Sequence, residues 1–118
     1  MPDNAGRCIV GEPCAGDGPA AYFSTLPLTA MLAALTREGL PAYISNTAGT
    51  YLCNQTMYGT LHALAHVPDP PRAGLVHLPS QPSMVAASGL DEPSMDLALV
   101  LRAVQVMLDV VASDVASA

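Results

Sequence analysis

Apolar residues recur at helical spacing in three stretches of the chain. In "LPLTAMLAALTREGLP", Leu28, Met31, Leu32 and Leu35 share one stripe, and Gly39 followed by Pro41 supplies a stop. In "CNQTMYGTLHALAH" the repeat is Met57, Leu61, Leu64 and Ala65, weakened by Gly59. The third stretch, "PSMDLALVLRAVQVMLDVVASDVASA", has the strongest periodicity. Its predicted inner face is Leu97, Leu101, Val104 and Leu108, with Asp109 and Asp114 left to solvent. Ser94 is the predicted cap of that helix, and Asp96 adds a favourable charge to its first turn.

Short apolar runs predict strands at "RCIVG", "AYIS" and "AGLVHLP", the last closed by Pro79. Strands alternating with helices predict an α/β fold. Residues 1–27, with several glycines and Pro2, Pro13 and Pro19, otherwise read as loop. A connection of that length is unusual in a compact domain unless it lines a site.

The 118 residues suit one domain, and 51% hydrophobic against 12% charged residues argues against disorder. Four arginines, no lysine and a net charge of −6 argue against a nucleic-acid binder, and no basic patch interleaves with aromatics. Tyr22, Phe23, Tyr43, Tyr51 and Tyr58 are scattered, so core or pocket lining is expected of them. No apolar run approaches the roughly 20 residues that span a bilayer. Asp96, Arg102 and Asp109 interrupt the most hydrophobic segment. Three cysteines, without a secretory leader or a dense cysteine framework, are expected to be reduced thiols of a cytoplasmic protein.

The sharpest chemical feature is Cys53 in "SNTAGTYLCN". It stands at the predicted junction of a strand, a turn of small residues and a helix. A thiol there meets unpaired amides and the positive end of the helix, which favour thiolate. Amides near Gly49 and Thr50 are candidates for holding a developing oxyanion. An inert cysteine packed in a structural turn fits the same residues.

A nucleophilic cysteine needs a base within reach. Along a continuous helix, His62 falls about 180° around and roughly 13 Å from Cys53, and His66 falls near 19 Å. His77, ending the predicted strand "GLVH", is the better candidate, because loops after the strands of an α/β sheet collect active-site groups. His62 and His66 have the i,i+4 spacing of metal ligands, but "HALAH" has Ala63 and Leu64 and no nearby carboxylate, so no metal site is predicted. Cys8 and Cys14 are spaced too widely for a usual zinc pair.

Five blocks, "PDNAG", "GPAAYFSTLP", "SNTAGTYLCNQTMYGTLH", "GLVHLP" and "PSMDLALVLRAV", resemble successive blocks of the pyroglutamyl peptidase I (pyrrolidone carboxyl peptidase) family, in the family's order. The resemblance implies a cytoplasmic cysteine peptidase that removes N-terminal pyroglutamyl residues from peptides. It implies an open three-layer α/β/α sandwich, of which residues 1–118 are the carboxyl-terminal part of a single domain, and a homotetramer or other homo-oligomer. By resemblance, Cys53 is the nucleophile, His77 its partner, and Tyr51 and Leu52 line the substrate region. No metal or other cofactor is implied, and no nucleic-acid or membrane partner. The family's catalytic glutamate precedes the segment matching "PDNAG", and Glu12, Glu38 and Glu92 occupy no matching motif. The chain is therefore expected to lack an amino-terminal portion and to need a complementing segment for activity. The alternative is a catalytically inactive homologue that binds pyroglutamyl peptides or serves a structural role.

Overall fold

Leu28 opens a helix that ends where the chain needs glycine. The computed structural model describes residues 5–8 and 10–117. It contains α1 (Leu28–Arg37), α2 (Leu52–Leu64), α3 (Pro82–Ser88) and α4 (Leu97–Ala116). After α1, Gly39 adopts φ 69°. The Gly39 amide donates to the Thr36 carbonyl at 3.0 Å and the Leu40 amide to the Leu35 carbonyl at 2.9 Å. This is a Schellman ending, and it turns Leu40 back into the core.

Two units divide the chain, the first formed by Met1–Leu26 and Ser45–Leu75, the second by Pro27–Ile44 and Val76–Ala118. In the second, α1 packs on α4. Ala34, Leu35, Leu40 and Val106 form the core, flanked by Ala103, Met107 and Val110. Arg102 of α4 pairs with Glu38 at 2.8 Å on the surface of this unit.

The predicted stripe of α1 is correct at Met31 and Leu35, both buried. That of α4 is rotated. Val100 and Val106 are buried and Val104 is half-buried, whereas Leu97, Leu101 and Leu108 are exposed, Leu108 to 62%. The physical reason is that α4 carries apolar residues on more than one face, so periodicity alone cannot select the one that meets α1. The cap also differs from expectation. Asp96, not Ser94, is the N-cap, its carboxylate accepting from the Ala98 amide at 2.8 Å. Ser94 instead forms an isolated parallel bridge with Ser80.

That bridge is the nearest approach to a sheet among the described residues, which contain no strand. Residues 42–45 and 73–79, where "AYIS" and "AGLVHLP" predict strands, carry no regular secondary structure and belong to no ladder. The predicted run "RCIVG" includes Ile9, which lies outside the described residues. Strand formation requires a neighbour with the right register, and the local apolar pattern cannot supply one. A fourth helix, α3, was not predicted. Pro82 at its first position and Gly89 at φ 66° just past its end are the usual start and stop signals.

Candidate active site

Two short side-chain turns shape the approach to Cys53. The Ser45 hydroxyl donates to the Thr47 carbonyl at 2.9 Å and accepts from the Thr47 amide at 3.3 Å. Two residues later the Thr47 hydroxyl accepts from the Gly49 amide at 3.0 Å. Such local bonds compete with regular structure and hold the chain in a loop. Gly49 then takes φ 83°, a conformation that favours glycine.

Tyr51 is the N-cap of α2, its carbonyl accepting from the Gln55 amide at 3.1 Å. Leu52 and Cys53 are therefore the first two residues of the helix, one residue earlier than the sequence suggested. Cys53 lies in the first turn, where backbone amides have no partner within the helix. Its thiol is exposed and, like those of Cys8 and Cys14, is in no disulfide. Gly49, Thr50, Tyr51 and Leu52 are exposed around it, Leu52 to 47%. His77 is an exposed residue outside any helix, near the start of the carboxyl-terminal stretch of the second unit.

The first unit also holds an open cleft of about 460 Å³. Glu12, Cys14, Tyr22, Asn54, Met57 and Tyr58 are among its lining residues. Tyr51, expected in a pocket, is not among them, and neither is Cys53. Phe23 and Tyr43, expected in the core or a pocket, are 89% and 86% exposed. Tyr22 and Tyr58 instead meet edge to face with ring centroids 5.0 Å apart. The Tyr58 hydroxyl donates to the Pro19 carbonyl at 2.7 Å. Partial desolvation, and then Tyr22, Cys14 and Asp17, keep that hydroxyl protonated above the usual tyrosine range.

His62 stands beside these rings. Its Nδ1 lies 2.9 Å from the Tyr22 hydroxyl and its Nε2 3.4 Å from an Asp17 carboxylate oxygen. His66 follows in the turn after α2, its ring 5.2 Å from that of His62. Asp17 is the residue that sequence reasoning missed. It is 45 positions from His62, in a loop, and no local signal connects the two.

The sequence matches the pyroglutamyl peptidase family over residues 1–114. The chain belongs to that family. A pyrrolidone-carboxylate peptidase of Pectobacterium carotovorum subsp. carotovorum strain PC1 is 48% identical over 106 residues, which cover 90% of this chain and 49% of that protein. One from Mycobacterium bovis strain BCG Pasteur 1173P2 is 48% identical over 98 residues, covering 82% and 44%. Among solved structures, pyrrolidone carboxyl peptidase from the hyperthermophile Pyrococcus furiosus superposes with a TM-score of 0.87 at 41% identity. That match covers 97% of this chain and 56% of the other. The chain thus spans about half the length of the relatives it matches. No helix among the described residues is long and apolar enough to cross a membrane.

Proposed function

We propose that the chain is the carboxyl-terminal part of a cysteine peptidase that removes an N-terminal pyroglutamyl residue, and that it acts once the rest of the family fold is supplied. The observation that carries this reading is Cys53 itself: an exposed thiol in the first turn of α2, behind the Gly49 loop, in a chain matched to the family over nearly its whole length.

In the completed enzyme, His77 takes the proton of the Cys53 thiol, and the thiolate attacks the exocyclic carbonyl of the pyroglutamyl group. Amides near Gly49 and Thr50 and in the first turn of α2 stabilise the oxyanion. The imidazolium of His77 then protonates the departing amine as the C–N bond breaks, leaving a thioester on Cys53. His77 next takes a proton from water, whose oxygen attacks the thioester, and free pyroglutamate leaves as the thiol is restored. Tyr51 and Leu52 give the compact lactam an apolar wall. This chemistry draws on no metal or organic cofactor.

The whole protein is read as a cytoplasmic homo-oligomer with an open α/β/α fold. In that fold, residues 42–45 and 73–79 are strands, paired with strands outside this chain. The exposure of Leu52, Leu97, Leu101 and Leu108 supports a larger apolar interior than 118 residues provide.

The test is hydrolysis of a pyroglutamyl amide by the 118-residue chain and by an extended or complemented form. Turnover is expected only in the second. There, Cys53→Ala or His77→Ala should each lower kcat by a factor on the order of 10⁴. Robust turnover by the 118-residue chain as a pure monomer would refute the need for completion. Pyroglutamyl-peptide binding without hydrolysis by the completed form would identify an inactive homologue.

A further inference from the structure

The cluster of Asp17, His62 and His66 is used by none of the chemistry above. One ligand atom from each of the three residues lies within 4.8 Å of the other two. Tetrahedral zinc with bonds of about 2.0–2.1 Å places its donors about 3.3–3.4 Å apart. The Asp17–His62 pair already stands at 3.4 Å, so only modest rotations are needed to close the set on one ion.

Three further features favour a cation here. The Tyr22 hydroxyl at Nδ1 of His62 can accept from an Nδ1–H, which leaves the Nε2 lone pair directed toward Asp17. A fixed partner on the second nitrogen is the usual support of a metal-bound histidine. His62 is in the last turn of α2, the negative end of the helix dipole. Gly18, next to Asp17, passes so close to Tyr58 and His62 that a Cβ would collide with the Tyr58 hydroxyl and reach 3.2 Å from Nδ1 of His62. The Asp17 loop is therefore held tightly against the helix.

We propose that Asp17, His62 and His66 form a binding site for a first-row divalent cation of the zinc type, which fastens the Asp17 loop to the carboxyl end of α2. Two imidazoles and a carboxylate match zinc, and water completes the coordination sphere. The cleft residues Cys14 and Tyr22 flank this loop on the same unit, so the ion would also stiffen the cleft wall.

The experiment is a Zn²⁺ titration of the 118-residue chain against a chromophoric chelator, with Co²⁺ as a spectroscopic probe. One equivalent of Zn²⁺ should bind, and Asp17→Asn and His66→Gln should each weaken binding at least about tenfold. Both residues are exposed, so neither change removes packing from a core. A variant with Cys8, Cys14 and Cys53 all changed to Ser should keep the site, and the Co²⁺ spectrum should lack sulfur-to-cobalt charge transfer. The proposal is overturned by absence of stoichiometric binding, by indifference to the Asp17 and His66 changes, or by loss of binding in the cysteine-free variant. The first of these would leave an ordinary His–Asp pair, and the other two would assign the metal to thiols or to scattered surface groups.

Discussion

Gly18 and Gly59 show how one methyl group can act with opposite sign a short distance apart. At Gly18 a Cβ meets the Tyr58 hydroxyl, which must then leave the Pro19 carbonyl. Gly18→Ala should cost about 1 kcal/mol, the worth of that hydrogen bond. At Gly59, inside α2, a Cβ meets nothing within 4 Å. Gly59→Ala should therefore raise stability by about 0.5–1 kcal/mol through helix propensity. Urea midpoints of the two variants, at constant m-value, check both signs. At this scale the sequence was informative where chemistry is local. Small residues before an amphipathic run located Cys53 at a helix start to within one residue. Asp17 was illegible because its neighbours His62 and His66 are brought to it by the fold, from more than 40 positions away.

The same division separates elements. α1 was readable because its apolar stripe is narrow and its Gly39 ending is encoded in place. The inner face of α4 was not, since several faces are apolar and only packing on α1 selects among them. Leu35→Ala should cost about 2–5 kcal/mol by emptying the α1–α4 core. Leu108→Ala should change stability of the same chain by no more than about 0.5 kcal/mol, because its side chain is exposed. Asp96→Ala should cost about 1 kcal/mol through loss of the α4 cap. Thermal or denaturant unfolding of the three variants ranks them directly. A cost for Leu108→Ala comparable to that for Leu35→Ala would mean that the inner face of α4 predicted from periodicity was right. Residues 42–45 and 73–79 follow the same logic: a run of apolar residues becomes a strand only where a partner strand lies alongside, and the described residues supply none.

For the whole molecule, family membership was carried by five blocks spread along the chain, far more specific than any one cysteine or histidine. The chain spans about half of its relatives' length and leaves large apolar side chains exposed, among them Phe23, Tyr43, Leu101 and Leu108. Association of the chain with itself or with a complementing segment is the expected consequence, visible as a concentration-dependent mass in analytical ultracentrifugation. The central claim is that Cys53 is the sulfur that forms the acyl-enzyme. Its most direct test is peptide mapping by mass spectrometry after the completed enzyme reacts with a pyroglutamyl compound bearing a thiol-reactive carbon. A single label on Cys53, formed in step with loss of hydrolysis, is the predicted result. A label on Cys8 or Cys14 that tracks inactivation, or hydrolysis undiminished in Cys53→Ala, would contradict it.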